Sequence, residues 1–230
     1  MNFTWERLGD GVLRCRLPFL DVTVGLVHGR AGAMLIDAGT TLTEADGIAQ
    51  DVHEMTRGDV THILLTHNHF DHVLGSSLFQ APVYCAPEVA ATIAGRTDHL
   101  RVDALRHGAD SGEVDRAIAA LRTPEHRVRC AVIDLGDRTV SICHPGRGHT
   151  DHDLIAIVSG SDPTVVFCGD LVEESGDPCI EVDSDLQAWP ATLDRVLGAA
   201  GEKAVFVPGH GAVVDASFVR RQRDWLRERL

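Results

Sequence analysis

The chain has 230 residues, of which 44% are hydrophobic and 24% charged, the balance of a soluble globular protein able to bury a core. A net charge of −13, from 21 Lys+Arg against 34 Asp+Glu, disfavours phosphate backbones and argues against a nucleic-acid partner. No apolar run approaches the roughly 18–20 residues of a membrane span, and the first residues show no basic-then-apolar leader, so a cytoplasmic protein with no membrane partner is expected.

In chain order, apolar runs at Val12–Leu17, Val22–Val27 and Ala33–Ile36 predict strands separated by glycine-rich turns. Thr41 is the expected N-cap of a helix from Leu42 to about Met55, with Ala45, Ile48, Val52 and Met55 on its apolar face. His62–Leu65 reads as a short buried strand, and Asp71–Phe79 as helical. The segment Pro87–Arg129 is charged and mostly helical, with Ala117, Ile118 and Leu121 on one stripe. Strands follow at Cys130–Ile133, Thr139–Cys143, Leu154–Val158 and Thr164–Cys168. Trp189–Leu197 is a helix, Ala204–Val207 a strand and Phe218–Glu228 a terminal helix. Several neighbouring strands are joined by turns too short for parallel crossovers, which excludes a plain doubly wound sheet. The order fits an α+β protein of two packed sheets with helices outside, and we read residues 1–230 as one domain. The six cysteines include no CxxC pair and mostly lie in apolar stretches, so reduced, buried thiols are expected.

The chemistry concentrates in His67-Asn68-His69-Phe70-Asp71-His72, just after the strand His62–Leu65. Alternate residues of extended chain point the same way, so His67 and His69 can share one ion. Asp71 and His72, at a helix start, can face a second ion. Imidazole and carboxylate are ligands that zinc, iron and manganese accept. Three further segments each place one candidate at a strand end: His149 in Gly146-Arg147-Gly148-His149-Thr150, Asp170 in Phe167-Cys168-Gly169-Asp170, and His210 in Val207-Pro208-Gly209-His210-Gly211. Each alone is as readily an N-cap Asp or a hydrogen-bonded His; together they complete seven ligands.

On these motifs the sequence resembles the metallo-β-lactamase-fold superfamily, whose pattern is HxHxDH, then His, then Asp, then His. The match spans nearly the whole chain. The resemblance implies an αββα sandwich with the metals at the sheet edges. It implies that His67, His69 and His149 hold one ion, that Asp71, His72 and His210 hold the other, and that Asp170 bridges them. Asp37, in Leu35-Ile36-Asp37-Ala38-Gly39, matches the family's first motif, where an Asp supports the site from behind a ligand.

Such a resemblance implies a dinuclear hydrolase with two divalent ions, zinc first, and iron or manganese as other metals these ligands accept. A metal lowers the pKa of bound water from about 15.7 to about 7, and two ions also steady a developing oxyanion. Asp71 and Asp170 are the catalytic candidates. Asp170 would set the spacing of the ions. Asp71 could pass a proton to the leaving group, although a carboxylate held ionised by a metal is a poor acid. His152 and Arg147 are candidates for reaching the pocket or an anionic substrate, each equally readable as a surface or supporting residue.

The expected substrate is a small molecule with an ester, thioester or lactone carbonyl, and weak β-lactamase activity would use the same machinery. Gly169-Asp170-Leu171-Val172, Trp189 and Pro208-Gly209-His210-Gly211 are similar to the quinoprotein-relay and sulfur-oxidation zinc metallohydrolases. Two other readings stay open: an iron-dependent oxidoreductase of the same fold, and a non-catalytic metal-binding protein. Pro87–Arg129 and Asp177–Leu186 are the segments expected to shape the pocket. Oligomeric state is not legible.

Overall fold

The structure is a computed structural model that describes residues 1–160 and 162–230. The first sheet has seven strands in chain order: β1 (Trp5–Gly9), β2 (Val12–Arg16), β3 (Thr23–His28), β4 (Ala33–Ile36), β5 (His62–Leu64), β6 (Val83–Cys85) and β7 (His126–Arg127). Strands β1 to β4 form an antiparallel meander, and β4 to β7 run parallel. The parallel pairs need crossovers, which helices supply. These are α1 (Leu42–Thr56), the single turn α2 (Phe70–Val73) with a 3-10 turn at Leu74–Leu78, and then α3 (Pro87–Gly95), α4 (Thr97–Arg106) and α5 (Ser111–Ala120).

The second sheet holds β8 (Cys130–Asp134), β9 (Thr139–Cys143), β10 (Ile155–Ser159), β11 (Val165–Glu173) and β12 (Val205–His210). Only the β11–β12 pair is parallel, joined through α6 (Trp189–Ala200), and α7 (Ala216–Arg227) follows. No helix among the described residues is long and apolar enough to cross a membrane.

The two sheets pack face to face between outer helices, giving the four layers expected. Strand β11 shows how its residues divide between the faces. Val165 and Phe167 join the core between the sheets, whereas Val166 and Cys168 join a separate cluster with Trp189, Leu193 and Val196 of α6 and Val219 of α7. Phe167 lies directly over Gly25 of β3, where a Cβ would stand 2.4 Å from its ring. On the other side of the first sheet, Ala45, Ile48 and Val52 of α1 are buried. Thr41 caps that helix in a reciprocal box with Glu44, each side chain bonding the other's backbone N–H.

Two sequence expectations need correction, the reach of one strand and the burial of all the thiols. The strand at Thr164–Cys168 runs on to Glu173, through Asp170, because β12 pairs with it along that length. The Pro87–Arg129 segment is mostly helical, as expected: three helices, after which the chain turns extended and adds β7 to the first sheet. Strands β1, β6 and β7 have little alternation of their own; pairing with neighbours forms them. Among the thiols, Cys15, Cys85 and Cys168 are buried as expected, but Cys130 and Cys179 are exposed. All six are free.

Asp51 of α1 ties down the segment before β1. Its carboxylate accepts from Phe3 N and Trp5 Nε1, both at 2.9 Å, and from Asn2 N. Burial works against the charged carboxylate, but these donors outweigh it and hold the pKa below the ordinary value. Hydrogen bonds to a charged group contribute about 1.5–3 kcal/mol, so Asp51→Ala should lower the Tm by about 5–10 °C. A depressed carboxylate pKa stabilises above the unfolded value of about 3.9, and that stability is lost as pH falls through the folded value. The wild-type advantage in thermal melts should therefore be full at neutral pH and shrink below about pH 4. An equal gap at both ends would refute this role.

Candidate metal centre

The site lies at the carboxyl ends of the central strands, where loops can converge. Asp37 follows β4 in a left-handed conformation, φ 60°. Its carboxylate accepts from Thr66 N (2.9 Å), Thr66 Oγ1 (2.8 Å) and His72 Nδ1 (2.9 Å). His67 and His69 follow β5, and Asp71 and His72 sit in the turn α2. His149 comes from the loop between β9 and β10, and His210 ends β12.

Asp170 is placed by an irregularity. Strict alternation after Val166 and Cys168 would turn it toward α6. The β11–β12 register shifts between Phe167 and Gly169, and Gly169 takes φ 51°. The shift turns Asp170 to the other side, among the imidazoles. Gly169 also meets Thr66, whose Oγ1 would stand 2.8 Å from an added Cβ.

Every imidazole has its outer nitrogen tied to an acceptor. His149 Nδ1 donates to the Cys179 carbonyl (3.2 Å), His210 Nδ1 to the Leu20 carbonyl (2.8 Å), and His72 Nδ1 to Asp37. His69 Nε2 donates to Asp183 (3.2 Å). Thr66 Oγ1 gives its proton to Asp37 and so accepts from His67 Nδ1 at 2.9 Å. In the neutral ring, the form a metal binds, each pairing leaves a lone pair on the inner nitrogen.

Those inner nitrogens face one another. His149 Nε2 is 3.0 Å from His69 Nδ1, and His72 Nε2 is 3.3 Å from His210 Nε2. His67 Nε2 and Asp170 Oδ1 are buried without a hydrogen-bond partner. Lone pairs and orphaned acceptors pressed together are costly unless a cation sits between them. The donors therefore fit metal ions. His67, His69, His149 and Asp170 offer atoms all within 4.8 Å of one another; so do Asp71, His72 and His210. Asp170 Oδ2 lies 3.6 Å from His67 Nε2, 3.5 Å from His149 Nε2 and 3.3 Å from His210 Nε2, and its Oδ1 lies 3.2 Å from His72 Nε2. One carboxylate thus reaches both groups.

The proton affinities show the same crowding, with protons competing for the place a metal would take. Burial would lift the Asp170 carboxyl, but His210, His72, His67 and His149 hold it well below the carboxylate range. Burial would lower His210, but Asp170 and Asp71 push it up to about 10. His149, where burial dominates, falls to about 4. A cluster that draws protons this strongly onto some of its imidazoles will release them when a metal binds.

Of the other expected residues, Asp37 supports His72 as described. His152 is buried 2% exposed beside the site; its Nδ1 meets Asp151 Oδ1 at 2.7 Å, and burial holds its pKa below the ordinary value. Arg147 is not brought to the cavity. It is exposed and paired with Asp185 at 3.1 Å, a carboxylate close enough to take its charge.

A cavity of about 240 Å³ opens onto the donors. Asp103 and His107 of the helical segment, and Asp177, Cys179 and Glu181 of the later one, line it, as expected of those segments. Sequence reasoning missed three contributors. Glu173 offers a carboxylate atom within 4.8 Å of Asp170 and His210, and burial together with Asp170 raises its pKa to about 6. Its signal was the buried strand itself, once that strand is carried past Asp170. Asp183 orients His69 and is held down to about 2, His69 outweighing the effect of burial. His107, given no role from sequence, stands on the cavity wall. Nothing local marks Asp183 or His107.

If Asp37 fixes the ring of His72, Asp37→Asn should weaken metal binding about 10–100-fold with the fold intact. Calorimetric metal titration beside a circular-dichroism melt checks this; unchanged affinity would remove Asp37 from the site.

The model of the metallo-beta-lactamase superfamily matches residues 17–210, a span that contains every candidate ligand. A metallo-beta-lactamase type 2 of Bacillus cereus is 20% identical over 196 residues, 85% of this chain and 69% of that protein. Among solved structures, a metallo-beta-lactamase from Pontibacter korlensis superposes with a TM-score of 0.74 at 19% identity, covering 98% of this chain and 99% of that one. The DIM-1 metallo-beta-lactamase exposed to ceftazidime gives 0.76 at 12% identity, covering 99% and 98%. The four-layer fold and the long family match lead to one conclusion: this chain belongs to the metallo-beta-lactamase superfamily.

Proposed function

We propose that the chain is a dinuclear metal-dependent hydrolase, with zinc as the expected metal, acting on an ester, thioester or lactone carbonyl. The observation that carries this is Asp170, whose carboxylate lies within reach of both groups of inward-facing donors. His67, His69 and His149 would hold one ion, Asp71, His72 and His210 the other, and Asp170 both. When bound, the ions would supply ionised water at neutral pH and polarise the carbonyl.

The chain's own residues do the rest. Asp37, Asp183 and the carbonyls of Cys179 and Leu20 fix the rings, so little reorganisation is needed during reaction. Asp71 Oδ2, 3.4 Å from His210 Nε2 and 3.7 Å from His72 Nε2, would serve as a ligand; those distances favour that role over proton donation. Leu20 and Phe70 give the cavity apolar wall that limits water. Low β-lactamase activity belongs to the same proposal, because a strained lactam carbonyl makes the same demand.

The test is metal analysis of protein purified without added metal, followed by a panel of thioesters, lactones, aryl esters, phosphodiesters and a chromogenic cephalosporin, with Asp71→Ala beside it. Two zinc ions per chain and turnover that the variant lacks support the reading. One iron per chain with oxygen uptake, or turnover equal in the variant, overturns it.

A further inference from the structure

Strand β8 is the last strand of the second sheet, and a tight turn joins it to β9. Their register sets Cys130 directly opposite Cys143. The backbone bonds fix the kind of pair. His144 N donates to the Arg129 carbonyl at 2.8 Å, one step beyond the cysteines, and Leu135 N donates to the Arg138 carbonyl at 2.9 Å at the turn. Bonded and non-bonded pairs alternate along an antiparallel ladder, so Cys130–Cys143 is a non-bonded pair. In such a pair the Cα atoms stand about 4.5 Å apart and both side chains leave the sheet on one face. A disulfide spans Cα separations of about 4.4–6.8 Å. No other two cysteines are matched across a ladder among the described residues.

That face is open to solvent. Ile133 of β8 and Val140 and Ile142 of β9 join the core, which turns Cys130, Val132 and Cys143 outward. Cys130 is exposed and Cys143 half-buried. The two are close enough for Cys130 to add to the effect of burial in raising the pKa of the Cys143 thiol. Cys130 is therefore the point of entry for an oxidant, with Cys143 behind it. The other thiols differ. Cys15, Cys85 and Cys168 are buried, and burial holds each thiol protonated. Cys179 is exposed, but its Sγ donates to Glu181 Oε1 at 3.8 Å, and partial burial and Glu181 push its pKa up to about 11.

We propose that Cys130 and Cys143 are a redox modification site, converted to a disulfide by exchange with a small-molecule disulfide of the glutathione type. The Cys130 thiolate attacks one sulfur of glutathione disulfide, whose S–S bond breaks and releases one glutathione thiolate. Cys143, having given its proton to solvent, then attacks the Cys130 sulfur and releases the second glutathione. The two protein thiols lose two protons and two electrons, and the two glutathione sulfurs take them up. An exposed bond at the short end of the Cα range is readily reduced, so excess reduced glutathione runs the exchange backward. The pair stands at the base of a metal-site loop: Cys143 ends β9, and the segment that carries His149 starts at His144. The site is independent of the hydrolase reading.

The experiment incubates the native, purified chain with excess glutathione disulfide at mildly alkaline pH. Iodoacetamide then blocks the remaining thiols, and peptide mapping by mass reads each cysteine. The expected result is that Cys130 and Cys143 lose their thiols together, in one peptide that joins them, with glutathione kept at neither. Excess reduced glutathione should restore both. Cys143→Ser should keep glutathione on Cys130, because the thiol that displaces it is gone, and Cys130→Ser should leave Cys143 a thiol. A circular-dichroism melt checks that both variants fold, and the wild-type map decides the pairing without them.

Four results with the wild type would each overturn the proposal: both thiols unmodified, glutathione retained on Cys130, Cys130 joined to Cys179 or to a second chain, or a bond that excess reduced glutathione leaves intact. So would a folded Cys143→Ser chain with no glutathione on Cys130, or modification of Cys143 in Cys130→Ser.

Discussion

Asp170→Asn is expected to take the chain from two bound metal ions to one or none. The substitution keeps the side chain's shape and removes its charge. Asp170 is 6% exposed and faces four inner imidazole nitrogens at 3.2–3.6 Å. An asparagine offers one oxygen and one N–H₂, so it can serve one donor group but presents hydrogens to the other. Removing one charged partner from a buried set costs about 3–5 kcal/mol, which is roughly 10²–10³-fold or somewhat more in metal affinity. Turnover of any substrate found in the panel should fall with occupancy. Metal analysis and calorimetric titration read the result directly, and a circular-dichroism spectrum guards against a fold that has simply failed. Two ions per chain in Asp170→Asn would end the assignment of Asp170 as the shared carboxylate.

The parts of this site that are legible in the sequence are those written within a few residues. His67, His69, Asp71 and His72 are close in sequence because a strand end and a helix start can aim them together, and the structure does bring them together. The helix behind Thr41 is legible for the same reason, since a cap and an apolar stripe are local. Asp37 is visible from its motif, but its three hydrogen bonds reach residues about thirty positions away.

What escapes the sequence depends on partners far along the chain. Asp170 sits inside a strand because β12 pairs with β11, and its direction depends on a register shift at Gly169. Glu173 is buried for the same pairing reason. Asp183 meets His69 across 114 residues, and no local pattern announces it. Arg147 stands two residues from His149, yet its guanidinium turns to Asp185. The β7 strand is two residues long and exists only as an addition to β6.

A second substitution probes the same carboxylate without altering any ligand. Gly209 lies in β12, immediately before His210, and its backbone takes no left-handed φ, so an alanine meets no conformational objection there. Its space is the objection. A Cβ at Gly209 would stand 1.8 Å from Asp170 Oδ1 and 2.9 Å from the Gly169 carbonyl carbon. The carboxylate must move by more than about 1 Å to restore contact distance, or β12 must part from β11. A displacement of about 1 Å at a reacting centre can cost about 10²-fold, and overpacking costs about 1–3 kcal/mol of stability. Gly209→Ala should therefore lower metal affinity and turnover about a hundredfold while the Tm falls by only about 2–10 °C. Gly198→Ala is the matched control: it lies in α6, with nothing within 4 Å of the added methyl. It should leave metal binding unchanged and raise stability by about 0.5–1 kcal/mol, the ordinary gain of alanine over glycine in a helix. If Gly209→Ala binds two ions as tightly as Gly198→Ala does, then the position of Asp170 is not what holds the metals.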